Sequence, residues 1–146
     1  MVKIYPMGVF QEQKNLATNM NIEKQIINAC GKKPNEESCG FIVYDNGEFR
    51  AIESENRAQD KSEEFYIPAK EFLFIKNSNN VIAVYHSHPK TDENPSEFDK
   101  NNSNLICLPF VIFSLKNRRM SVFEPEFLDC DKSTFQNLKE QLNIND

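Results

Sequence analysis

The sequence lacks the residue patterns on which several large enzyme classes depend. Its 146 residues contain no Trp, only two His and four Cys, with no Cys-x-x-Cys pair, so a zinc site built from cysteine pairs is not expected. It also has no His-Glu-x-x-His helix, no Gly-x-Ser-x-Gly turn and no glycine-rich phosphate loop. Zinc deaminases are disfavoured as well, because their His-x-Glu and Pro-Cys-x-x-Cys elements are missing.

Charge and hydropathy argue against two further classes of protein, nucleic-acid binders and membrane proteins. The net charge is -5 and the pI is about 5.1, which argues against a general nucleic-acid binder. No apolar run approaches the roughly 20 residues of a membrane-spanning helix, and the N-terminus lacks the apolar core of a signal peptide. We therefore expect a cytoplasmic protein with neither nucleic-acid nor membrane partners.

Both histidines lie at the end of one apolar, β-prone segment. Residues 81–85 (Val-Ile-Ala-Val-Tyr) predict a buried strand that continues into His86, Ser87 and His88. Since side chains alternate along a strand, the two imidazoles would share one face and Ser87 would point to the other. Pro89 then ends the strand and starts a loop.

A serine and an aspartate follow at a spacing that could complete a metal site. Ser96 is predicted to cap a helix whose first turn carries Asp99. Either half of the pattern alone has an ordinary structural explanation, a helix cap or a packed His-x-His pair. Together they favour a metal, because two imidazoles and a carboxylate form the three-ligand set of a catalytic zinc with one open position.

These residues resemble the signature of the JAMM (MPN-type) zinc metallopeptidases, His-Ser-His-Pro followed by Ser-x-x-Asp. Residues 37–42 (Glu-Ser-Cys-Gly-Phe-Ile) resemble the upstream acidic element of the same family. The resemblance implies a cytidine-deaminase-like fold, one catalytic Zn²⁺ and hydrolysis of a peptide or isopeptide bond in a protein substrate. It also implies roles for five residues: zinc ligands His86, His88 and Asp99, acid–base residue Glu37, and transition-state donor Ser96.

A narrower resemblance concerns residues 56–58, 65–68 and 108–112, which are similar to stretches of JAMM domains in bacteriophage tail-assembly proteins. It implies a role in phage tail assembly, with a tail component as partner and the host cytoplasm or the virion as location. Two alternatives stay open: a tail scaffold with little catalysis, and a peptidase that processes a bacterial ubiquitin-like sulfur-carrier protein. Typical deubiquitination is not expected, because the short loop before Ser96 has no room for a ubiquitin-gripping insertion.

The acid–base residue and the zinc mechanism each have an alternative interpretation. Glu36 could replace Glu37 as the acid–base residue, although the Glu-x-Cys-Gly match selects Glu37. Cys39 could act as a nucleophile near His86. The zinc hypothesis accounts for the histidines better than a thiol does.

The remaining segments predict one α/β domain, a mixed β-sheet flanked by helices. We divide the chain into an N-terminal arm or edge strand (1–18), a JAMM/MPN-type domain (19–126) and a C-terminal helical tail (127–146). Besides the segments already described, the predicted elements are helices at 19–30, 68–76 and 132–142, and strands at 39–44, 48–52, 65–67, 109–115 and 120–123.

Overall fold

A computed structural model of the chain describes residues 20–144, which form a single α/β domain with a five-stranded mixed sheet and four helices. Polar side chains begin three of the helices: Asn21, Ser96 and Asp131 each accept a hydrogen bond from a backbone N–H of the first turn. In chain order the elements are α1 (Ile22–Gly31), β1 (Cys39–Asp45), β2 (Glu48–Ser54), α2 (Ala69–Ser78), β3 (Val81–His88), α3 (Glu97–Ile106), β4 (Phe110–Ser114), β5 (Arg119–Phe123) and α4 (Lys132–Gln141).

The strand that carries both histidines is the centre of the sheet. The strand order is β2-β1-β3-β4-β5; β3 and β4 are parallel, and the other neighbours are antiparallel. All eight residues of β3 are buried. The β1–β2 hairpin turns at Asn46 and Gly47, which both have positive φ, 53° and 79°, as the Asp-Asn-Gly sequence predicts. The central position of β3 fixes both histidines in a rigid frame.

Helices cover both faces of the sheet. On one face, residues of α1 and α4 such as Ile26 and Phe135 pack with the β3 residue Tyr85. On the other face, Val84 and Phe110 pack with Phe72 of α2 and with Ile106 of α3. Because alternate residues of a strand share a face, the two histidines lie on the face of Val84, towards α2 and α3.

The predicted fold class is confirmed, and one predicted element is wrong. Residues 65–67, expected as a strand, have no strand partner and belong to an irregular loop between β2 and α2. The expected arm at 1–18 lies outside the described residues, and the division into three segments stays a prediction. Within residues 20–144, no helix has the length and apolar character needed to cross a membrane.

Candidate metal centre

The two imidazoles converge at the C-terminal end of β3. His86 is fully buried and His88 is 6% exposed. The Nε2 of His86 lies 3.0 Å from Oδ1 of Asp99, and the Nε2 of His88 lies 3.1 Å from Oδ2. Among the described residues, neither ring nitrogen of His86 has a partner with hydrogen-bond geometry. A buried imidazole nitrogen without such a partner is suited to binding a metal ion.

Asp99 reaches the histidines because a helix cap holds it. The Oγ of Ser96 accepts a hydrogen bond from the N–H of Asp99 at 3.0 Å, and Oδ2 of Asp99 accepts one from the N–H of Ser96 at 3.0 Å. This reciprocal capping box begins α3 as predicted. Although burial raises the pKa of Asp99, the two imidazoles and the Ser96 N–H lower it more, so the pKa lies well below its usual value. Asp99 is therefore an ionised, anchored carboxylate.

A backbone contact orients the second histidine. The Nδ1 of His88 lies 2.7 Å from the carbonyl oxygen of Asp92, in the loop that follows β3. Nδ1 thus donates to the carbonyl, which leaves Nε2 as the atom facing Asp99. Fixing the tautomer through the far ring nitrogen is the usual way in which a protein prepares a histidine for metal binding.

The second carboxylate of the centre comes from the segment before β1. Glu37 is 6% exposed, and its carboxylate oxygen and one nitrogen of each histidine all lie within 4.8 Å of one another. Burial raises the pKa of Glu37 to about 8, and the neighbouring His88 lowers it only in part. Glu36, the competing acid, is half-buried and is not in this group.

The donor set suits a zinc ion, since two imidazole nitrogens and carboxylate oxygens are ordinary zinc ligands. Two carboxylates border the histidines, and geometry alone allows either Glu37 or Asp99 to be the third ligand. The structure brings the side chains of Glu37, His86, His88 and Asp99 together. Their roles as ligand or base stay predictions.

Ser96 lies next to the centre through its cap. Its oxygen accepts the Asp99 N–H, and the hydroxyl proton remains available for donation. Asn94, another nearby side chain that could donate to an oxyanion, is engaged elsewhere, since its backbone N–H and its side-chain amide both donate to the carboxylate of Asp92. A donor role for Ser96 is compatible with capping and stays a prediction.

The thiol alternative receives little support. Cys39 lies opposite His86 in the β1–β3 register, but its Sγ donates to the carbonyl oxygen of Ser54 at 3.8 Å. Burial raises the pKa of Cys39 to about 12. A thiol with such a pKa provides almost no thiolate at neutral pH, and the thiolate is the nucleophilic form.

Sequence reasoning missed the aromatic surroundings of His86. The ring of Phe65 stacks on the imidazole with centroids 4.5 Å apart and planes 28° apart, and Phe110 meets it edge-on at 5.5 Å. Phe65 comes from the loop between β2 and α2. The sequence signal that points to Phe65 is the Phe-Tyr-Ile-Pro segment (65–68), whose first three residues the sequence alone predicts as a strand.

The mixed sheet and the centre of two histidines and two carboxylates at its middle strand define a JAB-type domain. The family model of prokaryotic homologs of the JAB domain matches residues 21–126, and the chain belongs to this family. This match confirms the JAMM-type family predicted from the signature.

The chain is also similar to individual proteins. It is similar to the tail tip assembly protein K of Escherichia phage N15, with 26% identity over 89 residues. That match covers 61% of this chain and 37% of the phage protein, so the chain spans little more than a third of that relative's length. It is also similar to the solution structure of protein DSY2949 from Desulfitobacterium hafniense, with 26% identity and a TM-score of 0.52, covering 76% of this chain and 90% of that one.

Proposed function

We propose that the protein is a zinc-dependent metallopeptidase that hydrolyses a peptide or isopeptide bond in a protein substrate during phage tail assembly. The observation that carries this proposal is the convergence of both imidazoles and two buried carboxylates at the end of β3. Membership of the JAB family supports it. The similarity to a tail tip assembly protein supports the biological setting.

In this proposal the side chains of the centre have three separate roles: metal ligand, acid–base residue and oxyanion donor. His86, His88 and Asp99 would hold one zinc ion. Asp99 is assigned as the third ligand because it occupies the Asp position of the Ser-x-x-Asp signature, and its two oxygens each face one imidazole Nε2. When bound, zinc would supply Lewis acidity and an activated water at neutral pH. Glu37 accepts a proton from the attacking water and passes it to the departing amine. The Ser96 hydroxyl donates to the developing oxyanion.

The experiment pairs the protein with the products of neighbouring tail genes. Each candidate is incubated with the zinc-loaded protein and followed by intact-mass measurement. Glu37→Gln is nearly isosteric and removes the proton acceptor, so we expect it to abolish cleavage while zinc stays bound. Glu36→Gln, one residue away, is the matched control and should cleave at the wild-type rate.

Two results would contradict the assignment. Full activity in Glu37→Gln together with an inactive Glu36→Gln would move the base to Glu36. No zinc-dependent mass change in any partner would favour the alternative, a tail scaffold in which the domain binds proteins without cutting them.

A further inference from the structure

The loop between β2 and α2 is held in place by one buried side chain. Asn56 is 7% exposed, and its amide bonds to five backbone groups of the described residues. Its Oδ1 accepts the N–H of Ala58 at 2.9 Å and the N–H of Tyr66 at 3.1 Å. Its Nδ2 donates to the carbonyl oxygens of Glu37 at 2.8 Å, Glu64 at 2.9 Å and Lys61 at 3.4 Å.

We propose that Asn56 is a positioning residue that holds the Glu37 backbone and the Phe65 ring in place beside the two histidines. Part of the proposal rests on the proposed function, because the kinetic consequence requires a peptidase. The placement of the two groups is independent of catalysis and can be tested on its own.

Asn56 connects two parts of the centre that are distant in sequence. One end of its amide bonds to the carbonyl of Glu37, whose side chain borders the histidines. The other end bonds to the N–H of Tyr66, directly after Phe65, whose ring stacks on His86. The N–H of Glu37 also donates to Lys61, in the same loop, at 2.6 Å. The loop between β2 and α2 and the segment that carries Glu37 are therefore one hydrogen-bonded unit built around Asn56.

Asparagine is suited to this position, because its amide offers two donor hydrogens and an acceptor with two lone pairs in one rigid plane. The loop has no strand or helix to pair its backbone, so these groups depend on the side chain. Without Asn56, the carbonyl of Glu37 and the N–H of Tyr66 would lose a buried partner. Both Glu37 and Phe65 would then be free to move relative to β3, the strand that carries the two histidines.

The direct test uses the rings of the only two histidines in the chain, observed by NMR in the full-length, metal-free protein. A ring stacked on an imidazole moves its proton signals upfield. We expect Phe65→Leu to move the His86 signals downfield, and Asn56→Ala to reproduce most of that change. Gln25→Ala is the matched control: Gln25 is also a buried amide, 7% exposed, that bonds to the backbone of Met20, Phe49 and Ala51. It lies on the opposite face of the sheet and should leave the His86 signals in place.

A second variant separates the two contacts. Asn56→Asp keeps the acceptor for Tyr66 and puts a carboxylate oxygen in place of the donor to the Glu37 carbonyl, so its folding is checked by circular dichroism before the spectra are compared. We expect the His86 signals to stay near their wild-type positions, while the backbone amide of Ser38, which shares a peptide unit with that carbonyl, shifts.

Kinetics supply the last measurement. With a cleaved partner in hand, both Asn56 variants should lower kcat by on the order of 10²-fold, the effect of displacing a catalytic group by about 1 Å, with zinc content and KM near wild type. A wild-type His86 spectrum in folded Asn56→Ala would overturn the proposal, and so would an equal change in Gln25→Ala. An inactive wild-type protein would instead refute the proposed function and leave the NMR result to decide the role of Asn56.

Discussion

Gly40 tests whether the close packing of the central strands is as tight as the structure indicates. It lies in β1 between Glu53 of β2 and Tyr85 of β3. A Cβ at this position would lie 2.2 Å from the carbonyl oxygen of Ile52 and 2.5 Å from Cε2 of Tyr85. The first contact is with backbone, so a rotamer change cannot relieve it and the strands must separate.

We therefore expect Gly40→Ala to lower the free energy of unfolding by about 3 kcal/mol, the upper part of the range for overpacked sites. The corresponding loss in Tm is roughly 6–12 °C, at roughly 2–4 °C per kcal/mol for a domain of this size. Gly31→Ala is the matched control. Gly31 is the last residue of α1 and has open space around its Cβ position, so alanine there should stabilise by about 0.5–1 kcal/mol.

Urea unfolding followed by circular dichroism measures both variants. A Gly40→Ala midpoint equal to or above that of wild type, with Gly31→Ala behaving as expected, would refute the close approach of β1, β2 and Tyr85. It would also remove the physical reason for glycine in the Glu-Ser-Cys-Gly segment.

Three further predictions concern single side chains. Ser96→Ala removes the cap of α3 and should lower the free energy of unfolding, measured in urea, by about 1 kcal/mol. It should also weaken zinc binding, measured by competition with a chelator. An unchanged free energy of unfolding and an unchanged zinc affinity would contradict the capping role. Tyr85→Phe removes a buried hydroxyl without a hydrogen-bond partner among the described residues, so its stability should equal or exceed that of wild type; a loss above about 1 kcal/mol would reveal a partner. Cys39→Ala should leave the rate of hydrolysis of a cleaved partner unchanged. Loss of hydrolysis in this variant would support the mechanism in which the Cys39 thiol is the nucleophile.

The parts of the fold that follow from local rules could be predicted from the sequence. Alternation along a strand placed His86 and His88 on one face, and the Ser-x-x-Asp spacing placed Ser96 at the start of a helix. The Asp-Asn-Gly turn gave the β1–β2 hairpin. These rules act over a few residues, so the sequence contains all the information that they need.

The surroundings of the centre depend on contacts between distant residues, which local rules do not reach. Asn56 bonds to Glu37, 19 positions away, and such a bond leaves no periodic trace in the sequence. The aromatic, β-branched character of residues 65–67 favoured a strand. In the folded chain Phe65 instead packs on His86, and the N–H of Tyr66 bonds to the Asn56 side chain rather than to a strand.

Zinc content tests the central claim most directly. The protein is purified, exposed to zinc, dialysed and measured by mass spectrometry for metal per chain, alongside His88→Ala, Asp99→Asn and Glu37→Gln, with folding checked by circular dichroism. Our account predicts about one zinc in wild type and in Glu37→Gln, and a large loss in the other two variants. Equal zinc in wild type and folded His88→Ala would contradict the metal centre, and zinc lost from Glu37→Gln but kept in Asp99→Asn would reverse the roles of the two carboxylates.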